Sequence, residues 1–208
     1  MPRPRSLTLA GIAAAALGVI DRDGLAALTM RGVAGALGTG TMSLYRYVDD
    51  REQLERLVVD LVLSAVNLDL PPGEPWRERV IMLAERVRAA VGAHAAVVPL
   101  LLVHRHAAEG SRRFGEAMLG LLSEGGFTGE DRVVAFRTLL SYVLGALQYQ
   151  YLGPLPGAGT ATLARLPQAE YPLLAETARN AQQIPPDVEF RRGLDVILRG
   201  LRAGRSRR

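Results

Sequence analysis

The chain has no cysteine. That absence excludes disulfides, a thiolate metal site and a cysteine nucleophile, and nothing in it argues for an oxidising compartment. Lysine is missing too, so all 25 basic residues are arginine. With alanine, glycine and leucine abundant, this reads as the imprint of a GC-rich genome and carries no mechanism. Charge of one sign is also scarce: the formal net charge is +4, and Arg199, Arg202, Arg205, Arg207 and Arg208 at the end of the chain account for more than all of it. Global basicity is therefore no argument for a nucleic-acid partner. Enzyme signatures are lacking as well. There is no Gly-x-Ser-x-Gly elbow, no phosphate loop, and no paired carboxylates beside a histidine in a recognisable motif.

Long hydrophobic runs are missing. Arg3 and Arg5 followed by the apolar stretch Leu7 to Ile20 mimic a secretory signal, but Leu9, Ile12, Ala13, Ala16, Leu17 and Ile20 recur at three- and four-residue spacing. That spacing predicts an amphipathic helix packed on a small domain, and the stretch is too short to span a bilayer. No membrane partner is expected. Pro2-Arg3-Pro4-Arg5 becomes a short basic arm, either following DNA or simply solvated.

What is present is a chain of 208 residues with 49% apolar content, enough for one small module and one larger domain. The richest stretch is Leu28 to Leu54. Thr29 is a candidate N-cap, Val33, Ala34 and Leu37 follow at helical spacing, and Gly38 supplies a residue free to take positive φ. Thr39-Gly40-Thr41 makes the turn of a helix-turn-helix, with Thr41 or Thr39 capping a second helix over Met42 to Val48. Such a helix sets its first residues against base edges while flanking groups hold phosphates. Thr41, Met42 and Ser43 stand at its start, and Met42 can touch a thymine methyl. Tyr45, Arg46 and Tyr47 follow within reach of phosphates. Asp49-Asp50 ends this helix and caps the next. Arg51, a cation in a helix's first turn, invites an external anion and reads as a phosphate contact. A nucleotide-binding reading of Gly38-Thr39-Gly40-Thr41-Met42-Ser43 fails, since Ser43 replaces the third glycine and no strand precedes Gly38.

Leu28-Thr29-Met30-Arg31, Leu37-Gly38, Ser43-Leu44-Tyr45-Arg46-Tyr47-Val48 and Arg51-Glu52-Gln53-Leu54 together resemble the N-terminal domain of the TetR family of bacterial repressors over residues 7 to about 60. Val48 in place of phenylalanine is similar to the branch centred on the tetracycline repressor. The chain departs from the family at Thr39, where valine is usual. Gly32 and Gly35 each weaken the first helix by roughly 1 kcal/mol relative to alanine. The resemblance extends the DNA-facing set to Thr29, Met30 and Arg31 alongside Thr41, Met42, Ser43, Tyr45, Arg46, Tyr47 and Arg51.

Beyond Arg51 the pattern is helical throughout, with no convincing strand, repeat or low-complexity tract, so the fold class is all-α. A helix from Arg51 to Asn67 links residues 1–51, the DNA-binding module, to residues 52–208. Leu70 to Pro75 is a loop. Helical segments follow over Trp76 to Val91, over Ala95 to Ala108 with Pro99 as kink or start, over Ser111 to Ser123, and from Thr128 to about Tyr151. A proline- and glycine-rich loop over Gly153 to Gly159 leads to short helical material through Gln182. Asp187 is expected to cap a last helix with Phe190, Leu194, Ile197, Leu198 and Leu201 in one stripe. Val133 to Leu147 is apolar around nearly its whole circumference, which suggests a subunit interface.

The resemblance implies a homodimer joined through a four-helix bundle of the last two long helices, a palindromic operator in double-stranded DNA, and an unknown small-molecule effector held in the C-terminal domain. Candidate effector contacts are His104, Met118, Arg137, Tyr142, Gln148 and Tyr149. His104 and His106, two apart on a helix, cannot share one metal ion. No metal and no cofactor are expected. An activator, or a DNA-binding protein indifferent to any effector, remains open beside the repressor.

Overall fold

The computed structural model describes residues 7–153 and 157–201; the arm Pro2 to Arg5, the middle of the Gly153 to Gly159 loop and the arginines beyond Leu201 lie outside them. Among the described residues there are helices and turns but no strand, in accord with the all-α expectation. The helices are α1 (Leu9–Asp23), α2 (Met30–Ala36), α3 (Thr41–Leu44), α4 (Arg51–Ser64), α5 (Trp76–Gly92), α6 (Val98–His104), α7 (Glu109–Glu124), α8 (Gly129–Leu152), α9 (Ala158–Ala164), α10 (Pro172–Ala181) and α11 (Pro186–Gly200), with 3-10 turns at Leu25–Ala27 and Ala95–Val97. No single helix among the described residues is long and apolar enough to cross a membrane.

The chain divides into two compact units: Met1–Asp69 with Arg86–Ala117, and Leu70–Glu85 with Met118–Arg208. In the first, Thr8 caps α1 by accepting a hydrogen bond from the Gly11 N–H at 3.1 Å, and Gly24 at φ +82° ends it. Ile12, Ala13, Ala16, Val19 and Ile20 are buried on the face of α1, which packs against α2 and α4. The expected stripe shifts here: Leu9 is exposed and Val19 takes a place in the core. Leu28, Val33, Leu44, Val48, Leu54 and Val58 close that core with no exposed surface. At about 1.5–3 kcal/mol for each buried aliphatic side chain, this small module has the means to hold its shape. Further ties come from polar groups. His94 Nδ1 lies 2.8 Å from Asp21 Oδ2, and one Nη of Arg86 donates to the carbonyls of Asn67 and Asp69 at 2.8 and 2.6 Å.

In the second unit Trp76 meets Phe127 edge to face at 5.7 Å, and Gly125 is required there because a Cβ would come within 2.7 Å of the indole. Arg79 holds Glu124 with two parallel hydrogen bonds of 2.8 Å. α8 packs on α11; Ala135, Leu139, Val143 and Leu147 are buried on the first helix and Phe190, Leu194 and Leu198 on the second. The Tyr142 hydroxyl donates to the Phe190 carbonyl at 3.0 Å while the two rings stack at 5.4 Å. Gly193 lies under that tyrosine, where a Cβ would overlap the hydroxyl. Arg191 reaches Glu85 at 3.0 Å and Glu78 at 2.7 Å; the hydrogen bond to Glu85 is the main reason its guanidinium holds its proton even more firmly than usual.

Several bounds differ from the sequence expectation: α4 stops at Ser64 rather than Asn67, the segment expected as one helix over Ala95 to Ala108 is a 3-10 turn followed by α6, which begins beside Pro99 and ends at His104, and α11 differs at both ends. The N-cap of α11 is Pro185, with Pro186 in the first turn, so Asp187 lies inside the helix as a first-turn acid rather than as its cap. Proline's fixed φ starts a helix without help from a capping side chain. Leu201 falls past the end of α11, outside the stripe assigned to it.

Candidate nucleic-acid interface

The geometry of the helix-turn-helix follows from a few local choices. Thr29 Oγ1 accepts from the Gly32 N–H at 2.9 Å and so starts α2. The Gly32 hydrogen is needed, because a Cβ would sit 2.7 Å from the Ala27 carbonyl oxygen. α2 ends in a Schellman closure: Thr39 N–H donates to Ala34 O at 3.0 Å and Gly38 N–H to Gly35 O at 3.1 Å, with Gly38 at φ +64°. The chain then turns through Gly40, which is the N-cap of α3 and has no side chain to offer. Neither Thr41 nor Thr39 performs the capping expected of them. Thr41 is instead the first residue of the helix.

α3 is also shorter than the expected Met42 to Val48. Its α-helical part is one turn, and the chain continues in turns closed by Tyr47 and Val48 N–H donating to the Leu44 carbonyl at 3.0 and 3.1 Å. Leu44 and Val48 are fully buried and pin this element to the module. The opposite side is open. Met42 is 78% exposed, Tyr45 and Tyr47 are exposed, Arg46 is exposed, and Thr41 and Ser43 are half-buried. A singly exposed apolar side chain is ordinary on a protein surface, so Met42 counts here only together with Tyr45, Arg46 and Tyr47 on the same open edge.

The flanks behave differently from one another. Met30 is buried, so its side chain packs inward, while Thr29 and Arg31 are exposed on the first turn of α2. Asp50 caps α4 by accepting from the Gln53 N–H at 2.7 Å, and the Gln53 side-chain oxygen accepts from the Asp49 N–H at 2.7 Å. This reciprocal pair sets the direction from which α4 departs. Arg51 projects from the first turn with its Nε donating to Glu55 Oε1 at 2.8 Å. Glu55 and Gln53 are the two groups sequence reasoning passed over here. Their signal was available as an Arg-Glu pair at i,i+4 and a capping box read from Asp50.

Of the six candidate effector contacts, His104 lies in the first unit and the other five in the second. His104 is buried in the first unit with its Nε2 2.8 Å from Glu55 Oε2. Met118 is buried in the second unit, Tyr142 is engaged with Phe190, and Arg137, Gln148 and Tyr149 are exposed along α8. His106 is exposed while His104 is buried, as expected for residues two apart on one turn. Among the described residues no three histidine or acidic side chains stand together as a metal site would require.

Residues 70–205 match the model of the tetracyclin repressor-like C-terminal domain. Over 96% of its length the chain is 32% identical to the HTH-type transcriptional repressor DrrR1 of Streptomyces coeruleorubidus, covering 78% of that protein. It is 27% identical to the class A tetracycline repressor protein from transposon 1721 of Escherichia coli, over 90% of this chain and 87% of that one. Among solved structures it is similar to ActR, a TetR family protein of Streptomyces coelicolor, crystallised with (S)-DNPA and with actinorhodin. The TM-score is 0.82 in both cases, with 30% and 29% identity and coverage of 96% and 98% of this chain and 98% and 99% of those chains. With a family model spanning most of the chain and relatives that span the rest, the chain belongs to the TetR family of helix-turn-helix transcriptional regulators.

Proposed function

We propose that the protein is a homodimeric repressor that occupies a palindromic operator and leaves it when a small organic effector binds. The observation that carries this reading is the exposed edge of α3, where Met42, Tyr45, Arg46 and Tyr47 stand out from a rigidly buried Leu44 and Val48. Residues 1–51 serve as the reading module, with Thr29, Arg31, Thr41, Met42, Ser43, Tyr45, Arg46, Tyr47 and Arg51 facing DNA. Met30 acts from beneath, through packing. Residues 52–208 serve for dimerisation and effector binding, so the chain works by binding and not by catalysis, in the cytoplasm where its operator lies.

A dyad is supported by the open face of α8. Val134, Thr138, Ser141, Gly145, Tyr149 and Leu152 fall on one side of that helix, opposite the buried stripe of Ala135, Leu139, Val143 and Leu147. A Cβ added at Gly145 would meet nothing within 4 Å, so that face has room for a second helix. Two modules joined in this way would sit about 34 Å apart, one duplex turn. Effector control is supported by ActR, which holds two different organic ligands. For such a ligand to switch the protein from nearly all bound to nearly all released, it must favour one state by about 5.5 kcal/mol.

Selection of bound sequences from a random duplex pool at fixed salt tests the reading. A palindrome with half-sites about one turn apart is the expected product. No enrichment would remove the assignment, and release of the selected duplex by no organic ligand would leave a DNA-binding dimer without an effector.

A further inference from the structure

A chain of polar side chains runs inward from Arg51 within the first unit. Glu55 uses both carboxylate oxygens: Oε1 accepts from Arg51 Nε at 2.8 Å, and Oε2 accepts from His104 Nε2 at 2.8 Å. Exposure falls along the chain, with side chains 49%, 16% and 7% accessible for Arg51, Glu55 and His104. His104 is the one buried polar side chain among the described residues. It belongs to α6, far along the sequence from the module whose first-turn arginine it approaches through a single carboxylate.

The form of the Arg51 contact matters. Glu55 engages Nε alone, and the two Nη groups have no partner among the described residues. A guanidinium is planar and rigid, so fixing Nε also fixes the direction of the Nη edge. That edge is the part that takes phosphate oxygens in a bidentate bond. A long side chain free to rotate must be ordered when DNA binds, whereas one already held loses little. Glu55 can hold Arg51 in this end-on manner because its other oxygen is occupied by His104. Without that anchor the carboxylate is free to turn away or to close on the Nη groups.

We propose that His104 and Glu55 form a buttress that presents the Nη edge of Arg51 to a DNA phosphate, so that a residue of α6 sets the strength of a contact made at the start of α4. The inference rests on the DNA-reading assignment of the module. His104 and Glu55 are then positioning residues, neither of which touches DNA.

The test uses the full chain and two duplexes, one selected by the wild type from a random pool and one with that sequence scrambled, read by fluorescence anisotropy across a range of salt. Removal of a negative charge beside DNA strengthens binding on simple electrostatic grounds. The buttress predicts the reverse: Glu55→Gln weakens binding to both duplexes by roughly three- to tenfold, the size of the ordering cost of one long side chain. The salt slope flattens by up to about 0.9 for each phosphate that is no longer neutralised. In an Arg51→Ala background Glu55→Gln brings no further weakening. His104→Ala weakens binding in the same way, and His104→Gln, which keeps an N–H donor toward Glu55, restores most of it. Thermal melting of each variant checks folding; should His104→Ala melt below the assay temperature, the Glu55→Gln comparison decides. Binding by Glu55→Gln as tight as or tighter than wild type overturns the buttress, as does equal weakening with and without Arg51. If Arg51→Ala weakens binding and Glu55→Gln does not, the buttress alone fails. If the wild type binds neither duplex, the DNA-reading assignment fails and the buttress with it.

Discussion

Gly32 and Gly35 lie three residues apart in α2, and their environments assign them opposite consequences. A Cβ at Gly32 would press on the Ala27 carbonyl oxygen at 2.7 Å, whereas one at Gly35 meets nothing within 4 Å. Gly32→Ala is therefore expected to lower stability by about 1–3 kcal/mol through backbone displacement, and Gly35→Ala to raise it by roughly 0.5–1 kcal/mol through helix propensity. Urea denaturation of the two variants distinguishes them, and equal shifts in midpoint would contradict the geometry. Read from sequence alone the two glycines look alike, as softeners of one helix. The difference arises because the 3-10 turn at Leu25–Ala27 carries a carbonyl back against α2, a contact with no periodicity to announce it. By contrast Thr29, Gly38 and Asp50 were legible, since each acts on backbone groups within a few residues of itself. At the reading surface, Met42→Ala or Ser43→Ala is expected to change base preference in a selection experiment, while Tyr45→Ala weakens binding to every sequence alike. Unchanged preference in both base-facing variants would move the contact elsewhere on the module.

At the scale of elements, α8 and α11 show what amphipathic patterning conveys and what it conceals. Val133 to Leu147 reads as apolar around nearly its whole circumference, yet only one side of α8 is buried within the chain. That side is buried where α8 packs on α11. The other exposes Val134, and α11 leaves Val196 similarly open, each 61% accessible. Val134→Glu or Val196→Glu should convert the dimer to a monomer in sedimentation analysis with little change in helix content, because an acid there is harmless to one chain and unpaired between two. A dimer of unchanged affinity would place the interface elsewhere. Within one chain, Gly193→Ala is expected to separate α11 from α8 by displacing Tyr142, costing about 1–3 kcal/mol. Tyr142→Phe would lose the bond to the Phe190 carbonyl, a net hydrogen bond being worth about 1 kcal/mol. The short α3 was the element least legible in advance. Its hydrophobic spacing runs on to Val48, but Gly40 supplies no side-chain cap and the helix gives way to turns after Leu44.

For the whole molecule, sequence and structure divide the labour unevenly. The helix-turn-helix is specified locally, by caps, a glycine turn and a few buried aliphatic residues, and so could be located from sequence. The candidate effector contacts could not be tied to one surface in that way, because Arg137, Tyr142 and Gln148 occupy one helix and face different surroundings, one bonded to Phe190 and two exposed. Nor could the partnership of His104 with Glu55, which joins segments 49 residues apart.

Two copies of this module are expected to grip DNA together, which is tested by affinity for the selected palindrome against a duplex whose half-sites are moved apart by half a turn, about 5 base pairs. A rigid dimer cannot engage both half-sites once they face opposite sides of the helix. The expected result is a loss of affinity of about a hundredfold or more, as the second module becomes unable to bind. Equal affinity for the two duplexes would show that each module binds alone, and would contradict the dimeric reading.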